Sequence, residues 1–90
     1  MTKETISAKL NRLKRIEGQV RGLQAMVQED RYCLDEVQQM NAITAAVREA
    51  VLQLISTHLD ASVDYAVHAK DQDGAVEEMV RVLRAALRQT

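Results

Sequence analysis

The chain has 90 residues, a net charge of −1, two Tyr, a single Cys and no Trp, Phe or Pro. That is room for one small domain over residues 1–90, burying about two-thirds of its unfolded surface, so the core is thin for a chain that folds alone. One Cys cannot close an internal disulfide, no apolar run approaches the ~20 residues that span a bilayer, and the polar start MTKETISAKL lacks a signal-peptide pattern. A soluble cytoplasmic chain with no membrane partner is expected.

Aliphatic residues at helical spacing, with no Pro, predict an all-α fold of three helices. In the first, Ile6, Leu10, Leu13, Ile16, Val20, Leu23 and Val27 form an amphipathic stripe of coiled-coil type. Residues 1–21 also carry Lys3, Lys9, Arg12, Lys14, Arg15 and Arg21 against Glu4 and Glu17, a net of +4, while the remainder is −5. At about 100° per residue, Lys14 and Arg21 fall on one flank of the stripe and Arg12 and Arg15 on the other. Such a segment is either a solvated face or a surface for a polyanion. Gly18 and Gly22 share the polar side one turn apart. Each costs about 1 kcal/mol relative to Ala inside a helix, which fits the close approach of another backbone.

The break falls at Gln28-Glu29-Asp30-Arg31, with Asp30 as an N-cap for the second helix. That helix is expected from Tyr32 or Cys33 to about Ala66, with Leu34, Val37, Ile43, Val47, Val51, Leu54, Ile55 and Leu59 as its apolar positions. A helix that long in so small a domain buries part of its surface against another chain. The polar stretch Lys70-Asp71-Gln72-Asp73-Gly74 reads as a loop. A third helix starts near Asp73, with Glu77 and Glu78 early, where the helix dipole favours them. It carries Val76, Met79, Val80, Leu83 and Leu87, and has Arg84 and Arg88 near its end.

The lone thiol, Cys33, is followed by His58 25 residues later. Along one helix that separation is roughly 37 Å, so the two cannot meet within a chain. The same spacing returns both side chains to within about 20° of one face. In an antiparallel pair of second helices, with a two-fold axis at Ala45-Ala46, Cys33 of one copy meets His58 of the other. Small residues at Ala42, Ala45 and Ala46 permit that approach. The geometry predicts two identical Cys–His sites per dimer, each shared by two subunits. The plainer alternative is a packed Cys and an unrelated surface His. A Cys–His nucleophile is a third reading, but the sequence offers it no orienting Asn or Asp and no oxyanion device. His68 is off the shared face and is expected to be solvated.

The stretch LNRLKRIEGQVRGLQAMVQEDRYC, with His58 beyond it, resembles the CsoR/RcnR/FrmR family of bacterial ligand-sensing transcriptional repressors, over nearly the whole chain. The resemblance implies a three-helix protomer with a long second helix, an antiparallel four-helix-bundle dimer and a dimer of dimers. It implies double-stranded operator DNA as partner, bound through the basic first helix, and release of transcription when ligand binds. It implies no catalytic cofactor and no enzyme activity. Carried over by position, Cys33 matches the family's thiol and His58 its imidazole from the other subunit. Tyr32 and Glu78 match a Tyr and a Glu that surround the ligands in copper-sensing members. Arg12, Lys14, Arg15 and Gln19 match the DNA-facing part of the first helix, and Arg21 extends that basic segment.

Two departures stand out. Copper-sensing members place a second Cys one turn after the His, and nickel- and cobalt-sensing members a His; here that third-ligand position is Ser62, a hard and weak donor. The nickel and cobalt branch also uses a histidine near the N-terminus, where this chain has Thr2, Lys3 and Glu4, and persulfide sensing needs two thiols. Basic residues usual in the family are replaced by Thr44 and Glu49. The leading expectation is a repressor with Cu(I) as regulatory ligand at Cys33 and His58. The alternative is a formaldehyde sensor in which Cys33 and the amine of Thr2 become bridged by a methylene group. The alternative of another class is a helical scaffold dimer in which Cys33 only packs.

Overall fold

In the computed structural model of the chain, which describes residues 3–88, three helices follow one another: α1 (Lys3–Gln28), α2 (Cys33–Ala69) and α3 (Gln72–Leu87). Among the described residues there is no strand, as the helical spacing leads one to expect. The long helix is longer than its apolar pattern indicates, running 37 residues and ending at Ala69 rather than Ala66.

The end of α1 corrects one expectation. Asp30 is not an N-cap; its φ of 53° places it in the left-handed region. The Asp30 N–H donates to the Val27 carbonyl at 3.1 Å and the Arg31 N–H to the Met26 carbonyl at 3.0 Å, the paired bonds of a Schellman C-cap. Asp tolerates this backbone better than most residues that have a Cβ. The start of α2 is served instead by the Tyr32 carbonyl, which accepts from the N–H groups of Asp35 and Glu36 at 2.9 and 3.3 Å. Asp35 and Glu36 in its first turn complement the helix dipole.

The loop before α3 is also shorter than expected, because Asp71 rather than Asp73 caps that helix. Its carboxylate accepts from the Gly74 N–H at 3.1 Å, so Gln72 and Asp73 are already helical. Before it, Lys70 closes α2 with a φ of 55°. A side chain with a Cβ costs about 1–2 kcal/mol there. Lys70→Gly is therefore expected to raise stability by about 1 kcal/mol, after allowing for the extra freedom of Gly in the unfolded chain. At fixed protein concentration the thermal midpoint should rise by about 4–8 °C; a fall would mean that this turn does not hold the left-handed conformation in solution.

The chain divides at Val51, within α2, into two units. In the first, residues 2–50, half-buried positions recur on α1 at Ile16, Gln19, Leu23 and Met26, and on the adjoining part of α2 at Glu36, Gln39 and Ala46. They meet where Gln39 Nε2 donates to the Gln19 carbonyl at 3.1 Å. Gly22 lies beside the same side chain: a Cβ there would sit 3.6 Å from Gln39 Nε2, an ordinary contact. The close approach expected at the glycines is thus by a side chain, and at Gly22 only, since Gly18 has nothing within 4 Å of such a Cβ. Ile43, at 9% exposure, is the one buried residue among those described.

The apolar stripe of α1 turns only one edge to α2. Ile6, Leu10, Leu13, Val20 and Val27 stay exposed. The second unit, residues 51–90, repeats the pattern. Ala75, Glu78, Met79, Val82 and Ala86 on α3 are half-buried, whereas Val76, Val80 and Leu83 are exposed. Burying such a Val, Leu or Ile contributes about 1.5–3 kcal/mol each. With one buried residue, a lone chain forgoes most of that.

Candidate functional site

His58 sits on α2 with its Nε2 toward α3, 3.9 Å from Glu78 Oε1. That is beyond a hydrogen bond, and the nitrogen is enclosed without a hydrogen-bond partner although the ring as a whole is 38% exposed. Glu78 is held independently: its Oε2 accepts from Arg81 Nη1 at 2.7 Å. His58, Ser62 and Glu78 line one cavity of about 340 Å³ with Tyr65, Asp71 and Gly74. Since Nε2 faces the Glu78 carboxylate, Nδ1 is the ring nitrogen left to take up a ligand. Ser62, one turn on, brings a hydroxyl to the same cavity.

Cys33 is the first residue of α2 and is exposed. Tyr32, just before it, is exposed as well. The residue types suit a soft metal in kind, a thiolate sulfur and an imidazole nitrogen, but they stand in different units. Among the described residues no three His, Cys, Asp or Glu side chains converge as a metal-binding group. Thr2, the other half of the aldehyde alternative, lies outside the described residues. His68 is exposed and engaged locally, its Nδ1 2.8 Å from the Asp64 carbonyl oxygen.

On α1 exposure does not follow the two flanks of the wheel, since Arg15, on the flank of Arg12, is exposed while Arg12 is half-buried. Lys14 and Arg15 are exposed, and Arg21 is exposed with an ion pair to Glu17 at 3.1 Å. A pair so open to water holds little and leaves the guanidinium able to exchange partners. Gln19, like Arg12, is half-buried, and its Oε1 is enclosed without a partner. The sequence reading missed Tyr65, Asp71 and Gly74 at the His58 cavity. Part of the signal was there: an Asp at a helix start accepts from the N–H of the third helical residue, here Gly74.

Residues 6–85 match the family described as metal-sensitive transcriptional repressors. The chain belongs to this family. It is 45% identical over 74 residues to the copper-sensing transcriptional repressor CsoR of Bacillus subtilis (strain 168), an overlap of 82% of this chain and 73% of that protein. Its fold is similar to that of the copper-sensing repressor CsoR with Cu(I) from Geobacillus thermodenitrificans NG80-2, with a TM-score of 0.82, 40% identity, and coverage of 97% of this chain and 91% of the other. The nickel-responsive transcriptional regulator InrS superposes with a TM-score of 0.85 at 27% identity, over 94% of this chain and 96% of that one. These relatives are repressors rather than enzymes, in line with the resemblance carried by residues 10–33. Among the described residues no helix is long and apolar enough to cross a membrane.

Proposed function

We propose that the chain is a Cu(I)-responsive repressor of operator DNA, acting in the cytoplasm as a homodimer or dimer of dimers. In this reading each ligand is held by Cys33 of one protomer and His58 of its partner. The observation that carries it is the apolar face that α2 leaves open. At about 100° per residue, Val37, Met40, Thr44, Val47 and Val51 share the Cys33–His58 face; each of them is exposed. An antiparallel pair centred on Ala45-Ala46 sets Cys33 against His58, Val37 against Leu54, Met40 against Val51 and Thr44 against Val47. The pairs are apolar between the ends. Thr44 fits because its hydroxyl donates to its own Met40 carbonyl at 3.0 Å, leaving the methyl for the partner.

Cu(I) is supported by the soft thiol, by the copper-sensing relatives and by Glu78 behind the ring. The ion would supply a bond that ties two protomers together. The protein's part is to set the imidazole with Nε2 toward Glu78 and to present the thiol at the start of α2. DNA is assigned to the exposed cations of α1, with Lys14, Arg15 and Arg21 on the open surface and Arg12 and Gln19 beside the α2 contact. Repression lifts to the extent that Cu(I) binds the DNA-free form more tightly.

The test tracks binding of the DNA upstream of the chain's own gene by fluorescence anisotropy, adding Cu(I), Ni(II) or formaldehyde to wild type, Cys33→Ala and Arg15→Ala. The proposal requires release by Cu(I) that depends on Cys33, and weaker, less salt-dependent binding by Arg15→Ala. Release by formaldehyde alone moves the chain to the aldehyde branch and gives Thr2 its role. Release by Ni(II) alone sets it beside the nickel regulator. No specific retention of this DNA by wild type, with none of the three agents acting, supports the scaffold.

Ser62 gives a sharper check on the site. Ser62→Cys places a soft donor one turn from His58 on the same cavity, and Cu(I) affinity is expected to rise by about tenfold or more. A competition titration reads it; no gain would show that the bound ion lies away from this turn of α2.

A further inference from the structure

We propose that Tyr65 and Asp71 are positioning residues for the His58 site, fixing where α3 carries Glu78 against the imidazole and so how tightly the site holds Cu(I). This rests on the reading of His58 as a ligand.

The Asp71 carboxylate is used at both ends. Oδ2 accepts from the Tyr65 hydroxyl at 3.2 Å, and Oδ1 accepts from the Gly74 N–H at 3.1 Å. The Asp71 carbonyl takes the Ala75 N–H at 3.2 Å, so the residue anchors the first turn of α3 through its backbone as well. Gly74 is required by this arrangement, since a Cβ there would overlap the Asp71 carboxylate. The result is a tie from α2, at Tyr65, to the first turn of α3.

Its placement gives it a reach beyond capping. His58, Ser62 and Tyr65 succeed one another at helical spacing along one face of α2. Glu78 lies one turn past Gly74 on α3. All of them, with Asp71, line the same cavity of about 340 Å³. The His58–Glu78 separation of 3.9 Å is just outside hydrogen-bond range. Glu78 is already bonded to Arg81 on its own helix, so the imidazole does not set where the carboxylate stands. The placement of α3 does, and the Tyr65–Asp71 bond ties that helix to the His58 face of α2. A small outward shift of α3 removes the carboxylate from Nε2. An inward one makes the hydrogen bond that orients the ring and raises its basicity toward a ligand on Nδ1.

Tyr65→Phe removes the hydroxyl and keeps the ring. In the full chain, far below its unfolding temperature, we expect Cu(I) affinity to fall by about tenfold, read by competition with a colorimetric chelator. The metal-free variant should also show displaced His58 ring signals by NMR. A purely structural loss would lower the unfolding midpoint and leave both readouts in place, because the folded fraction is complete at the assay temperature. Gly74→Ala, which displaces the Asp71 carboxylate from the other side, should act in the same sense. His58→Ala, run beside them, separates the two ideas. If it abolishes Cu(I) binding while Tyr65→Phe and Gly74→Ala match wild type in affinity and His58 signals, the positioning role is wrong. If His58→Ala binds Cu(I) like wild type, the ligand reading is wrong and this inference goes with it.

Discussion

Mixing Cys33→Ala with His58→Ala is expected to restore Cu(I) binding that neither variant has alone. Each variant by itself removes a ligand from every site in a symmetric dimer. The loss should exceed the roughly 100-fold that altering an outer partner of a ligand costs. A mixed dimer differs, because one of its two composite sites loses both ligands and the other keeps its Cys33 and His58. With equal amounts and random exchange, half of the dimers are mixed, so about a quarter of the wild-type number of sites returns. The measurement is Cu(I) stoichiometry by chelator competition, with mixed dimers counted by native mass spectrometry. If mixed dimers form and bind no Cu(I), the site is not built across the two-fold axis. Restoration has no explanation in a site contained within one chain. A scaffold in which Cys33 only packs predicts no binding in any of these samples.

The parts of this molecule that are legible in the sequence are those set by repetition. Seven apolar positions in α1 and eight in α2 recur at helical spacing, and periodicity of that length overrides any single residue. The shared face of Cys33 and His58 comes from the same arithmetic, since the spacing alone fixes an angle. The parts that are not legible depend on one residue with two possible uses. Asp30 fits an N-cap in the sequence, yet the bonds from Asp30 and Arg31 to α1 make it a C-cap. Asp71 and Asp73 both stand where α3 begins and either suits an N-cap in the sequence; the structure gives that role to Asp71 and makes Asp73 helical. The flank of α1 that packs on α2 is hidden for another reason. The apolar stripe is wide enough to serve two neighbours, and only the structure shows that its Ile16–Leu23 edge goes to α2 while Leu10 and Leu13 stay open. The sites of Gln19 and Gln39 depend on that choice and carry no signal of their own.

Val51→Asp should take the protein apart. Val51 is exposed in one chain, and on the proposed pairing it lies against Met40 of the partner, between the thiol–imidazole end and the centre at Ala45-Ala46. The two-fold axis doubles every substitution. Each copy forfeits about 1.5–3 kcal/mol of apolar burial and brings a carboxylate whose desolvation costs several kcal/mol more without a partner. Met40 offers no such partner. Total stability for small domains is about 5–15 kcal/mol, so two copies of this cost remove most or all of it. Sedimentation velocity should show loss of the oligomer, and circular dichroism should show loss of helix at the same protein concentration. With only Ile43 buried inside one chain among the described residues, a separated protomer has little to hold its helices. DNA binding should fall with the oligomer, since one basic helix cannot hold an operator as two or four do. Val51→Asp that stays oligomeric, helical and responsive to Cu(I) would show that this face of α2 does not pair. The Cys33–His58 alignment would then be a coincidence of spacing.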